Sequence, residues 1–164
     1  MRRDKKEIGK ILAAILAFAV AVGVMAGCSG KENGTAEALS AAEVGERIRQ
    51  AVNFDDMKQG DDSKLQKLYH IDAAEVEDYI LYTASSNVKA DELAVIKVKD
   101  ENQVESVKEK IRQRIEAQTV KFKDYRPDEY YLIEKHVLKT RGPFILFAVS
   151  READLMERAF DGAF

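Results

Sequence analysis

An uncharged run of 17 residues, Ile11 to Gly27, ends one position before the single cysteine of the chain, Cys28. Arg2, Arg3, Lys5, Lys6 and Lys10 precede or abut it. This stretch constrains the fold most, because it withdraws the first 27 residues from any folded domain. A basic segment stays on the cytoplasmic side while the apolar segment behind it inserts. At 1.5 Å per residue, 17 residues are at or just below what a helix needs to cross a bilayer core of about 30 Å. The run is rich in Ala and contains Gly23 and Gly27, so it is weakly hydrophobic for a permanent anchor. Ala26 and Gly27 supply the small side chains that a signal peptidase accepts. The reading is an export signal over residues 1–27 that is cut away.

The residues Val24-Met25-Ala26-Gly27-Cys28 resemble the lipobox of bacterial lipoprotein signal peptides, with Met25 where Leu is usual. The resemblance implies a diacylglycerol thioether on Cys28, cleavage before it, and a protein held on the extracytoplasmic face of the cell membrane. Two or three acyl chains exceed the single-chain limit for stable anchoring, at about 0.8 kcal/mol per buried methylene. Residues 28–39 are small and polar, with Gly30 and Gly34, and read as a flexible tether. Residues 40–164 read as one domain. Five of the 26 basic and two of the 29 acidic side chains lie in the leader, so the rest carries 21 against 27, a formal charge of −6. That acidity argues against nucleic acid as a partner. With Cys28 acylated no thiol remains, so neither a disulfide nor a cysteine metal site is expected.

Helical signals recur along the domain. Ser40 and Glu43 are spaced as a capping box ahead of Ala41, Val44, Ile48 and Val52 on one face. Asp55 to Asp62 reads as a polar loop, and Ser63 to Tyr69 as a short helix. Asp72 and Glu75 read as another box over one helical turn. Tyr79 to Thr83 and Glu92 to Lys99 read as strands paired antiparallel, the second with a wet face near its end. Asp100 and Gln103 box the longest helix, whose inward stripe is Val104, Val107, Ile111, Ile115, Gln118 and Phe122. Its outer face carries Glu105, Lys108, Glu109, Lys110, Arg112, Arg114 and Glu116. Pro127 opens a helix to Lys135. Val137 to Thr140 and Phe144 to Val149 read as strands, and Ser150 as the cap of a last helix with Leu155, Met156, Ala159 and Phe160 inward. The order α-α-β-β-α-α-β-β-α predicts an α+β domain: a four-stranded antiparallel sheet with helices packed on it.

The segments Asp78–Tyr82, Val88–Val98 and Phe122–Pro127, with Gly142 ahead of an apolar strand, resemble the DUF4358 family of bacterial lipoproteins over roughly Val44 to Phe160. The resemblance implies the fold and the location. It carries over no active site.

Signatures of catalysis are missing: no Gly-x-Ser-x-Gly, no His-Glu-x-x-His, no phosphate-binding or dinucleotide glycine pattern. His70 and His136 stand at element junctions. Only if they met each other, Asp72, Glu134, or a serine such as Ser85 or Ser86 would they hold a metal or do acid–base work; a half-buried junction histidine is the plainer reading. Asp55-Asp56 and Asp61-Asp62 lack the alternate spacing of a calcium loop. Tyrosine is enriched at Tyr79, Tyr82, Tyr125, Tyr130 and Tyr131. Lys123, Tyr125, Arg126 and Tyr130 form the best candidate binding surface, since Tyr and Arg together suit a contact loop. No catalytic residue, metal ligand or cofactor is assigned. The expected function is a non-enzymatic binding or accessory module for a cell-envelope protein or polysaccharide, joined to the membrane through Cys28. The alternative is an envelope hydrolase or acyltransferase accessory with a His/carboxylate site.

Overall fold

The computed structural model describes residues 39–164. The expected export signal, the expected acylation at Cys28 and all of the expected tether but Leu39 fall outside the described residues. Ser40 caps helix α1 (Ala41–Ala51) through the expected box: its hydroxyl accepts from Glu43 N–H, and the Glu43 carboxylate accepts from Ser40 N–H. Two further helix-end N–H groups, of Ala41 and Ala42, donate to Asp78 Oδ2 at 2.8 and 3.3 Å. These donors have no partner inside a helix, so a carboxylate from the sheet completes the cap. Gly45 lets α1 approach closely: a Cβ there would lie 2.7 Å from Ile80 Cγ2.

The sheet has five strands, not the four expected. The extra strand β1 (Met57–Gln59) falls in the segment read as a polar loop. Its Lys58 and Gln59 are exposed, so it shows no apolar alternation. Pairing holds it, with Met57 opposite Ala84 and Gln59 opposite Tyr82, and Met57 alone packs against the core. Helix α2 (Asp62–Tyr69) starts one residue earlier than expected, with Asp61 accepting from Lys64 N–H. Asp72 then caps the 3-10 turn Ala73–Glu75 by accepting from Ala74 N–H, and this replaces the box expected with Glu75. Strands β2 (Val76–Ala84) and β3 (Glu92–Val98) form the first hairpin.

The box of Asp100 and Gln103 is present, on a 3-10 turn (Glu101–Gln103) that runs into α3 (Val104–Phe122). Helix α4 (Pro127–Glu134) has Pro127 in its first turn. Strands β4 (Val137–Arg141) and β5 (Phe144–Val149) form the second hairpin, turned at Gly142, whose φ of +53° suits a residue without Cβ. Helix α5 (Ala153–Asp161) is not capped by Ser150. That hydroxyl accepts from Glu152 N–H at 3.1 Å and shapes the turn before the helix. Leu155, expected inward, is on the exposed side.

The strand order is β1-β2-β3-β5-β4, antiparallel throughout. Every residue of β3 and β5 is buried, because helices cover both faces. Ala94, Ile96, Val98, Ile145, Phe147 and Val149 face α2, α3 and α4. Leu93, Val95, Phe144, Leu146 and Ala148 face α1 and α5. Lys97 is therefore buried rather than wet, and its Nζ lies 2.8 Å from Glu77. Among the described residues no helix is long and apolar enough to cross a membrane.

Antiparallel register gives the sheet two poles. At one, Val76 pairs with Val98, Lys97 with Phe144, and Asp78 holds the start of α1. At the other, Met57 meets Ala84, Thr83 meets Glu92, and Glu92 meets Val149. Six steps of strand from Asp78 to Ala84 separate the poles by roughly 20 Å.

Candidate functional site

Strand alternation puts Glu92 on the same face as Ala94, Ile96 and Val98, and helical spacing puts Gln118 in the inward stripe of α3. A carboxylate and an amide among apolar side chains must find partners there. They find each other. Gln118 Nε2 and the Tyr69 hydroxyl each donate to Glu92. Arg114 clamps the same carboxylate, with Nε at 3.1 and 3.2 Å from the two oxygens and Nη2 at 2.7 Å from Oε2. Tyr69, Glu92 and Gln118 are buried. Arg114, expected on the solvated face of α3, turns inward and is largely covered. Desolvation pulls its guanidinium pKa down, but the Glu92 hydrogen bonds and charge together with Tyr69 outweigh that and leave it raised. A carboxylate only accepts, so the Gln118 nitrogen must face it. Its Oε1 then points elsewhere and has no partner.

Burial, then the adjacent Glu92 charge, pushes the Tyr69 phenol well above its ordinary pKa of 10. The sign follows from linkage. The unfolded chain loses this proton near pH 10 while the folded state keeps it, so stability is complete below about 10 and falls as pH rises further. In an alkaline titration, Tyr69 phenolate absorbance should appear only together with loss of near-UV circular dichroism. A Tyr69 signal in the folded protein near pH 10 would contradict this.

This cluster forms one wall of a cleft of about 420 Å³ at the β3 start pole. Lys64 and Lys67 come from α2, Arg114, Gln118 and Lys121 from α3, and Ser85, Ser86, Asn87, Lys89 and Asp91 from the β2–β3 connection. Lys64 Nζ donates to Thr83 Oγ1 at 2.6 Å. Lys89 reaches Glu129 at 3.0 Å. Glu129 is itself buried and accepts from Ala90 N–H at 2.9 Å, which ties α4 to this connection. Lys67 and Lys121 are exposed and make no ion pair among the described residues. Asp91 is half-buried, and desolvation followed by the Glu129 charge raises its pKa. Two more clefts open at the same pole. One of about 440 Å³ lies between α4 and the start of α5, and one of about 300 Å³ is lined by Asn53, Asp55, Asp56, Asp91 and Arg151.

The surface singled out in the sequence begins where α3 leaves the basic cleft. Tyr125 is 75% exposed and Tyr131 57%. Lys123 is exposed too, while Arg126 is half-buried, with its Nη2 3.9 Å from Glu129. Tyr130 is half-buried, and its hydrogen bond to Glu134 raises its phenol pKa. None of Lys123, Tyr125, Arg126 and Tyr130 lines the basic cleft. Tyr82 is buried and stacks edge-on against Phe54 at 5.0 Å. Among the described residues neither histidine is brought together with a carboxylate or a serine. His70 is exposed and ends α2 with φ +55°, and His136 Nδ1 lies 2.7 Å from the Ile133 carbonyl. No three metal-ligating side chains cluster among the described residues.

Sequence reasoning passed over Glu92, Arg114, Gln118 and Glu129. One signal was available: an acid on the apolar face of β3 and an amide in the apolar stripe of α3 mark a buried polar pair. No curated protein matches the chain, and no solved structure does. A profile described as a domain of unknown function, DUF4358, matches residues 50–150, from the end of α1 through β5. The match covers more than half of the chain and both walls of the basic cleft, and the chain belongs to the DUF4358 family.

Proposed function

We propose that the protein is a lipid-anchored extracytoplasmic binding module for a cell-envelope protein or polymer, and that its working surface is the pole remote from its tether. The observation that carries this reading is the polarity of the domain. The chain enters at Ser40, beside Asp78, whereas the clefts open at the Ala84/Glu92/Val149 end. In a domain tethered through Cys28, the clefts and the exposed Tyr125 then lie at the end opposite the attachment. The tether of residues 28–39, at 3.3–3.6 Å per residue, gives a reach of at most about 40 Å. The Lys123–Tyr130 corner forms one side of the contact surface.

The test runs in intact cells. Wild-type protein should incorporate a clickable fatty acid and crosslink to an envelope partner. Cys28→Ala should lose the label. A Tyr125→Ala/Arg126→Ala variant should keep the label and lose at least tenfold of the crosslinked partner, as truncation of two contact anchors implies. An unlabelled wild type, or a partner retained in full by the double variant, would overturn the location or the surface respectively.

A further inference from the structure

We infer that the cleft between α2, α3 and the β2–β3 connection binds a phosphate ester of a polyol. This rests on the reading of the remote pole as the binding pole, and it names the ligand class of that pole. The first argument is charge. The domain is acidic overall, yet Lys64, Lys67, Lys89 and Lys121 converge on this cleft from three separate elements. Glu92, one of its two acids, is already neutralised by Arg114, and Lys67 and Lys121 face solvent with no ion pair among the described residues. Charged side chains left unpaired on opposite walls of one concavity focus an attractive field on an anion.

The second argument is geometry. A planar carboxylate is best held by a guanidinium fork, and the fork here is occupied by Glu92. What remains is a set of ammonium point charges on different walls, which suits an oxyanion with terminal oxygens in several directions. The third argument is the Gln118 amide. Its nitrogen is committed to Glu92, and its Oε1 is buried without a partner. A buried acceptor left unmade costs about 1–3 kcal/mol. Gln118 is one of the residues that line the cleft, and a phosphate dianion has no proton to give its oxygen, whereas a hydroxyl next to the phosphate does. Ser85, Ser86 and Asn87 line the rim and offer further partners to hydroxyls. Anion and donor together describe a phosphorylated polyol, whether carried by a polymer, a lipid headgroup or a free metabolite.

The experiment uses the full chain in phosphatidylcholine nanodiscs, titrated calorimetrically with glycerol 3-phosphate, inorganic phosphate, gluconate and glycerol in turn. Glycerol 3-phosphate should bind at least tenfold more tightly than phosphate or gluconate, and glycerol should give no heat. A Lys67→Glu/Lys121→Glu variant alters two exposed side chains, so it should melt as wild type does and lose at least tenfold in affinity. Gln118→Met should bring glycerol 3-phosphate down to the affinity of phosphate. Competition by discs containing phosphatidylglycerol supports a lipid-borne ester; its absence supports a polymer-borne or free one. No binding of glycerol 3-phosphate, equal binding of gluconate, or full affinity in the folded double-charge variant overturns the inference. A cellular crosslink formed by a wild type that binds no glycerol 3-phosphate would sink this ligand class and leave the binding-module reading standing. Glycerol 3-phosphate binding without any crosslink would do the reverse.

Discussion

Replacing Arg114 by methionine is expected to destabilise the domain by about 3–5 kcal/mol, the usual effect of removing one partner from a buried ion pair. The size comes from what is left behind. Glu92 is buried at the start of a strand covered on both faces, and Arg114 makes three of its close contacts. Without the guanidinium, only the Tyr69 hydroxyl and the Gln118 amide face a full negative charge. With a total stability of roughly 5–15 kcal/mol for an ordinary domain, this loss is a large fraction of the whole. The urea midpoint should fall while the slope stays constant. The reciprocal change Glu92→Gln should cost less, because Arg114 retains some access to solvent and its guanidinium can turn outward. The double variant Glu92→Leu/Arg114→Met should recover much of the single-variant loss, since neither charge then remains in the interior. Simple additivity of the two single effects would show that the pair is not the unit described here.

Phe147→Ala should cost about 3–5 kcal/mol by the combined loss of apolar transfer and opening of a cavity. Phe147 is fully buried in the middle of β5, so neither face can collapse to fill the space. For a domain of this size the melting temperature should drop by roughly 10–20 °C. A second consequence connects packing to the site. The Phe147 ring stands edge-on to Tyr69 at 6.3 Å, and the tilted His136 ring lies 6.1 Å from it. Removing the ring loosens the phenol that donates to Glu92. In Phe147→Ala, Tyr69 should therefore lose its protection, and its phenolate should appear at lower pH than in wild type. A melting temperature within 3 °C of wild type would show that this position is not core.

Much of the local structure was legible because it is written in short-range chemistry. Ser40 with Glu43, Asp100 with Gln103, and Pro127 at the start of α4 act within four residues of chain. The continuous apolar run Phe144–Val149 needs two covered faces, and it has them. Strand β1 was illegible for the opposite reason. Met57–Gln59 has no periodicity of its own and becomes a strand only because β2 offers an unpaired edge. Arg114 and Lys97 were misplaced by the same limit. Periodicity ranks side chains by polarity, so it sends a charged residue outward unless the partner that will meet it inside is known.

The residues of the candidate site divide along that line. Tyr125 stood out by residue type and is exposed, as a contact residue must be. Glu92 and Gln118 sit in apolar stripes, and that anomaly alone marks a buried polar contact. The amino-acid sequence determined the class of fold, most element starts and the composition of the core, since capping, turn chemistry and apolar spacing act between near neighbours. Only the tertiary structure decided that Tyr69, Glu92, Arg114 and Gln118 meet, that lysines from α2, the β2–β3 connection and α3 share one cleft, and that this cleft lies at the far pole from Ser40. Those contacts join residues about 20 to 60 positions apart in the chain. Sheet register and helix docking bring them together, and neither is encoded in any single stretch.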